Sequence, residues 1–474
     1  MAESVDRRNI FSCNRLQWGF ACPKVFSEPK ESDGDHSSIP VHRFNPSTSD
    51  RSTMQTLDSI SADRMNGLFA EIESFTDPDF DGWTRTVFSP FYQEERHWML
   101  RQFKSSGLQD VHVDPCGNIV GVLPGRNAFA EPVVIGSHTD TVERGGRFDG
   151  VVGVLGALEV AQRLRESGTL LERPLMVIDF FGEEANPFGL TCLGSRSLVG
   201  HLTAQDLGRI GPEGQRLGDT LEAFGMDPSG ILGMNKGRRM KWHAYLELHI
   251  EQSTALEDAG CEIGVVTAVA GIKRLLARYL GQYDHAGGAR MRTRKDAVLA
   301  AASSALVLHD FACGNSGYAV ATTTHIDSLQ SAQNVVPGRA ELRAEVRSTD
   351  TAWLTSVESD LAQRLSARAH DFGCDVDLEW FLDNEIVQTD PTLQQNIVGA
   401  ATDLGLSWRA VPSGATHDSV HISRIAPMGM IFVPSVGGRS HCPEEMTAQS
   451  DILNGIAVLE ESVRLADKGP VQRS

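Results

Sequence analysis

The sequence predicts a mixed α/β protein: a mainly parallel sheet flanked by helices, with a smaller βαββαβ module inserted into it. Three observations carry this reading. Short apolar runs ending in glycine or charged loops alternate with segments of helical period, the mark of an α/β layer architecture. Between residues 267 and 384 the rhythm changes to long alternating strands set around two helices. After residue 385 the first rhythm resumes, so the module interrupts a larger domain.

Taken in order, residues 1–55 hold seven basic and seven acidic residues with many Ser, Pro, Asn and Asp and no countable period. They read as an irregular N-terminal extension. Arg7, Arg8 and Arg15 hint at organellar targeting, but Glu3 and Asp6 are wrong for a transit peptide. Residues 56–75 and 92–106 read as amphipathic helices, and 132–136 (PVVIG) as a buried strand. A helix follows with Val151, Val154, Leu155, Leu158 and Ala161 on one face, then a strand at 175–181 (LMVIDFF). In such sheets ligands bind at the C-terminal strand ends, where the loops after 136 and 181 both lie.

The inserted module reads as a strand (272–283) and a helix through Ala297, Ala301 and Leu308. Strands at 318–327 and 339–348, a helix through Leu354, Leu361 and Leu365, and a strand through Val376 and Leu382 complete it. That order is ferredoxin-like. The expected organisation is therefore an extension at 1–55, a principal domain from 56–266 and 385–474, and an insert at 267–384.

Composition excludes several function classes. The 474 residues carry 43 basic and 62 acidic side chains, a net charge of −19, with 41% apolar residues. A buried core is ensured, and disorder, collagen and disulfide scaffolds are excluded. So acidic a chain is no nucleic-acid binder, although a small anionic substrate needs only one or two local cations. Eight cysteines from Cys13 to Cys442 without a CxxC pair read as reduced thiols, which points to the cytoplasm. The longest apolar stretch, near Val151–Leu158, ends at Glu159, short of the roughly 18 residues a membrane span needs.

Five segments gather metal-type ligands at predicted strand ends or loops: 136-GSHTDTVERGGRFDG-150, 182-GEEANPFG-189, 246-LELHIEQ-252, 413-SGATHD-418 and 439-RSHCPEE-445. Singly each has a bland reading, since a loop His is usually a surface residue and Asp-Gly usually a turn. Jointly they place His138, Asp149, Glu184, His249 and His441 near one crevice. Asp140, two residues from His138, shares its face on an extended chain and can accept its second imidazole N–H. Asp149 lies in a glycine-rich curl, and one carboxylate can bridge two cations. Glu183 and Glu184 point opposite ways on an extended strand end, so one can bind metal while the other faces water. Nitrogen and oxygen ligands suit zinc and tolerate manganese, cobalt or nickel.

These segments resemble the dinuclear metal amidohydrolases of the aminoacylase/carboxypeptidase G superfamily. Within it they look like the hydantoinase/carbamoylase branch, which includes N-carbamoyl-L-amino acid hydrolases, allantoate and ureidoglycolate amidohydrolases and the yeast-type β-ureidopropionase. Gly-Ser-His-x-Asp-Thr-Val, Phe-Asp-Gly, Glu-Leu-His-Ile-Glu-Gln, Gln-Asn-Val-Val-Pro-Gly and Ser-His-x-Pro-x-Glu occur in the family order. The resemblance implies two divalent ions bridged by Asp149, one also held by His138 and His249, the other by Glu184 and His441. It implies Glu183 as general base for a metal-bridging hydroxide, and His285 as a donor to the carbonyl oxygen across a homodimer interface. Asn334 and Arg347 would hold a substrate carboxylate, His417 would sit near the scissile amide, and Gln252 near the ureido or leaving group. Arg347 fits on its own chemistry too, since a guanidinium pairs with a carboxylate through two hydrogen bonds.

The implied activity is hydrolysis of a linear amide, foremost the N-carbamoyl group of a small carboxylate-bearing substrate. The alternatives are an N-acyl amino acid amidohydrolase or dipeptidase, a catalytically silent binding relative, and a cysteine hydrolase using Cys192 or Cys442. Departures from the family pattern at Asn186, Pro187, Gly288, Thr416 and Ser419 lie around the substrate and touch no expected metal ligand.

Overall fold

The computed structural model describes residues 60–233, 241–329 and 332–469. The expected extension at 1–55, and with it the question of targeting, lies outside the described residues. Nine strands form the larger sheet: β1 (Gln109–Val113), β2 (Ile119–Leu123), β3 (Val133–His138), β4 (Leu175–Phe180), β5 (Ala244–Ile250) and β6 (Ile263–Val269), then β13 (Val387–Gln388), β14 (Trp408–Ser413) and β15 (Met428–Val433). Their order is β1-β2-β4-β3-β5-β15-β6-β13, with β14 beside β6.

The central ladders β4–β3, β3–β5 and β5–β15 are parallel, so four strands end along one edge of the sheet. Antiparallel strands flank them on both sides. Both β3 and β5 are buried along their whole length, which is why VVIGSH and AYLELHI lack a polar-out alternation. Val133, Ile135, Leu246 and Leu248 pack under the helices at 151–166 and 449–468. The intervening Val134 and Tyr245 face the other core with Ile178 and Phe432. Burying one such aliphatic side chain contributes about 1.5–3 kcal/mol, which is the force that holds the strand ends in register.

The chain turns from β3 into helix 151–166 through Gly150, at φ +67°. A Cβ there would stand 2.4 Å from the His138 ring, so only glycine lets the loop close this tightly on that imidazole.

A second sheet holds β7 (Gly271–Leu280), β9 (Ala319–Ser328), β11 (Arg339–Ser348) and β12 (Asp375–Asn384), all antiparallel, in the order β12-β7-β11-β9. With helices at 297–313 and 351–371 this is the ferredoxin-like βαββαβ order. Alternate residues Leu275, Ala277 and Tyr279 on β7 and Leu342, Ala344 and Val346 on β11 pack against those helices. Asp296 and Asp350 cap the helices through their carboxylates. The sequence reading extended β7 to residue 283. The strand instead stops at Leu280, and β8 (Asp284–His285) pairs with β10 (Val335–Val336), two residues each and too short to show a period.

No helix among the described residues is long and apolar enough to cross a membrane. The six described cysteines are all free.

Candidate active site

The parallel strand ends and the loops that follow them bring six of the sequence-selected residues together. His138 closes β3, His249 lies near the end of β5, Glu183 and Glu184 follow β4, Asp149 sits in the loop after β3, and His441 follows β15. Ligand atoms of His138, Asp149 and His249 all lie within 4.8 Å of one another, as do those of Asp149, Glu184 and His441. Asp149 is common to both groups. Its Oδ1 is 3.2 Å from His249 Nε2 and 3.8 Å from His138 Nε2, and its Oδ2 is 3.1 Å from His441 Nε2.

The rings are oriented by main chain. His249 Nδ1–H donates to the Ile250 carbonyl (3.0 Å), leaving Nε2 to accept from the Gly150 N–H (3.2 Å). His138 Nδ1–H donates to the Asp140 carbonyl oxygen at 3.1 Å, while the Asp140 carboxylate stands farther off at 3.6 Å. That carboxylate accepts instead from the Glu183 and Glu184 N–H groups, each at 3.1 Å. Asp140 thus orients the ring through its backbone and the Glu183–Glu184 turn through its side chain.

Glu183 and Glu184 do point to different partners. Glu183 Oε2 lies 3.7 Å from His138 Nε2, and Glu184 Oε1 lies 3.4 Å from His441 Nε2. Burial raises the Glu183 carboxyl well above its ordinary value and the Glu184 carboxyl to about 7, opposed by His138 and His441 respectively. For Asp149, burial is outweighed by the adjoining His249 and His441 imidazoles, which hold it well below the carboxylate range. Burial lowers His441, but Asp149 and Glu184 together drive it up to about 10. Imidazoles and carboxylates so arranged attract positive charge strongly, as a cation-binding donor set does.

Gln252 joins the group through its amide N–H, which donates to Asp149 Oδ2 at 2.6 Å. His417 is buried, bonded to the Ser413 hydroxyl through Nε2 (2.9 Å), and kept neutral by burial and the neighbouring His249. Arg347 reaches over from β11, its Nη1 donating to the Gly414 carbonyl at 3.0 Å. All three line a cavity of about 150 Å³ with the metal-type residues. His285 and Asn334 do not line it. Both are exposed, and the β8–β10 ladder sets them side by side, the Ala286 N–H donating to the Asn334 carbonyl at 2.9 Å.

Several residues at the site escaped the sequence reading. Ser440 Oγ, with one proton to give, lies between Asp149 Oδ2 (2.8 Å) and Glu445 Oε2 (2.7 Å), while Glu445 Oε1 accepts from the Phe148 and Asp149 N–H groups at 2.8 and 3.1 Å. Glu445 stood inside a selected motif, four residues after His441; that spacing was its one available signal. Cys192, Gln252 and His441 all adopt positive φ (55°, 59° and 55°), three of the six non-glycine residues to do so among those described. Such backbone concentrates at functional sites. Beneath the floor, Arg96 pairs with Asp179 at 3.1 Å, and the Thr139 hydroxyl stands between Asp179 and Glu95 at 3.1 and 3.2 Å. A third grouping, Glu247, His249 and His417, shares His249, but hydroxyls of Ser137 and Tyr245 already occupy Glu247.

Comparison with known proteins gives a consistent picture. The family model described as peptidase family M20/M25/M40 matches residues 134–465. An N-carbamoyl-L-amino-acid amidohydrolase of Paenarthrobacter aurescens is 32% identical over 87% of this chain and 100% of its own. A ureidoglycolate hydrolase of Arabidopsis thaliana is 34% identical over 90% of each chain. Among solved structures, an amidase of the hydantoinase/carbamoylase family from Burkholderia multivorans superposes with a TM-score of 0.77 at 31% identity, covering 87% of this chain and 99% of its own.

Proposed function

The chain belongs to peptidase family M20/M25/M40, and from that premise we propose that it is a metal-dependent amidohydrolase releasing the N-carbamoyl group of a small carboxylate-bearing ureido substrate. The observation that carries the reading is Asp149, shared between two clusters of imidazole and carboxylate atoms. Their donor set fits two divalent cations. His138, His249 and Asp149 would hold one, Glu184, His441 and Asp149 the other, with zinc the best match to these nitrogen and oxygen donors and manganese, cobalt or nickel tolerated. When bound, such cations acidify water and polarise a carbonyl.

The protein's own groups do the rest. Glu183, buried and with a raised carboxyl pKa, takes the proton from attacking water and returns it to the leaving nitrogen. Arg347 has three N–H groups committed to Glu345 and Gly414, which fixes its plane and leaves two for the substrate carboxylate. His417 and Gln252 flank the scissile group. In this reading residues 267–384 form a lid and dimerisation domain inserted into a catalytic domain of 56–266 and 385–474, and the protein works as a homodimer. His285 and Asn334, exposed and outside the cavity wall, serve the partner's site, where the imidazole N–H meets charge growing on the carbonyl oxygen. The relatives named for action on N-carbamoyl-L-amino acids and ureidoglycolate support the ureido class.

The test is a panel of N-carbamoyl amino acids, allantoate, ureidoglycolate and N-acyl amino acids, assayed for ammonia and for released acid, with bound metal measured alongside. Ammonia from the ureido compounds is expected. Cleavage of N-acyl amino acids alone would replace this reading with an aminoacylase.

A further inference from the structure

The wall of the cavity opposite the imidazoles carries a charge pattern that the amidohydrolase reading does not use. It is built from the inner face of the second sheet, where the β7–β11 register sets Ile272 opposite Arg347 and Arg274 opposite Glu345. Ile272, Arg274, Arg347 and Asp383 all line the cavity. Arg347 grips Glu345 Oε1 through Nε and Nη2 at 2.8 and 2.7 Å. Glu345 Oε2 is 3.2 Å from Arg274 Nη1, and Arg274 in turn holds Asp383 Oδ2 through Nε and Nη2, both at 2.8 Å. Cations and anions therefore alternate along the wall, Arg347, Glu345, Arg274, Asp383, and their formal charges cancel.

A neutral wall accepts one substrate carboxylate at Arg347 and then has no positive charge to spare. A second carboxylate placed farther along would meet Glu345 and Asp383, both already negative, inside a chain whose net charge is −19. An aliphatic side chain would strip water from the Arg274–Asp383 pair and return no hydrogen bond. A neutral amide satisfies both members. Its N–H groups reach Asp383 Oδ1, which the Arg274 contacts leave free, and its carbonyl accepts from the guanidinium.

Building on the ureido reading above, we propose that Arg274 and Asp383 select the substrate side chain, and that the preferred substrate is a monoanionic ureido acid whose short side chain ends in a neutral amide or second ureido group. Arg274 is half exposed and Asp383 partly exposed in the free chain, so discrimination arises when the wrong side chain covers this pair without matching its donors and acceptors.

The experiment compares kcat/KM of the metal-loaded full chain on three near-isosteric compounds, the N-carbamoyl derivatives of L-asparagine, L-aspartate and L-leucine, with allantoate as the double-ureido case. The asparagine derivative and allantoate are expected to exceed the other two by about tenfold or more. In R274M/D383L, which removes both charges together, the asparagine-to-leucine ratio should fall by a similar factor. Calorimetric binding of the same compounds to E183Q, whose turnover is expected to be slowed by about a hundredfold or more, should follow the same order. Preference for the aspartate or leucine derivative by the unaltered chain, or a ratio unmoved in a folded double variant, overturns the proposal. Should no ureido compound release ammonia, the amidohydrolase reading falls, while the binding order in E183Q still decides what this wall selects.

Discussion

The carboxylate of Asp140 accepts the backbone N–H of Glu183 at 3.1 Å, and its second oxygen accepts that of Glu184 at the same distance. One buried side chain thereby sets the direction of two adjacent acids that serve different ends. Asp140→Asn keeps the shape but turns an N–H₂ toward one of two backbone donors. The orphaned group costs about 1–3 kcal/mol in stability, and the displaced Glu183 should cost turnover as well. Urea denaturation beside steady-state kinetics checks both; a variant with unaltered stability and kcat would remove Asp140 from this role.

Glu183→Gln deletes the proton acceptor and leaves His138, Asp149, Glu184, His249 and His441 untouched. The expected outcome is bound metal at the unaltered level and kcat reduced by about a hundredfold to ten-thousandfold. Elemental analysis of the same preparation used for kinetics separates the two effects. Unchanged turnover would take the base role from Glu183.

Much of this was legible in the chain because it is written in short-range patterns. The helix at 351–371 and the alternation on β11 follow from spacing alone, and His138, Glu184, His249 and His441 stand at strand ends that any parallel sheet gathers on one edge. What stayed hidden depends on contacts distant in sequence. Ser440 reaches Asp149 across 291 residues, and Arg274 reads as an ordinary strand charge until the fold carries it into the cavity. The left-handed backbone at Cys192 and His441 has no sequence mark either, since neither is the glycine or asparagine that normally advertises it.

Below the site, Arg85 and Arg96 face three buried carboxyls, those of Glu95, Asp140 and Asp179. Two positive charges balance only two of the three, and the proton belongs on Glu95, whose pKa burial and the neighbouring Asp179 push up to about 8. A carboxyl raised in the folded state stabilises below its unfolded value near 4.5 and loses that contribution as pH climbs through 8. Glu95→Gln is neutral throughout, so its stability relative to the unaltered protein should rise between pH 5 and about 9. Urea midpoints of both proteins across that range test the sign; parallel curves would mean that Glu95 is ionised when folded.

If His285 acts on a second copy of the chain, two inactive proteins should complement each other. His285→Ala retains its own Glu183, and Glu183→Gln retains its own His285, so a mixed dimer holds one site with both. Activity is expected to reappear on mixing, up to about one quarter of the unaltered level for random exchange of subunits with one intact site in each mixed dimer. Mass spectrometry must verify the exchange. Proven mixed dimers without activity would place His285 in its own chain's site or outside catalysis.

The thiol of Cys192 donates to Glu183 Oε1 at 3.4 Å, and its backbone N–H donates to the Glu183 carbonyl at 2.8 Å. Both bonds close the loop of residues 183–192 on itself and leave Oε2 as the oxygen turned toward His138. Burial and Glu183 raise the thiol pKa well above its ordinary value, so the sulfur stays protonated and acts as donor, the opposite of what a cysteine nucleophile requires. Cys192→Ala should lower kcat about fivefold, the worth of one hydrogen bond near 1 kcal/mol, with KM and metal content unchanged. Cys192→Ser restores a donor and should recover most of the loss. Because Cys192 has no exposed surface while Cys442 beside His441 is partly exposed, a thiol-blocking reagent should leave a folded Cys442→Ala protein active while a chelator silences it. Inactivation by the reagent with chelators harmless would instead revive a cysteine hydrolase.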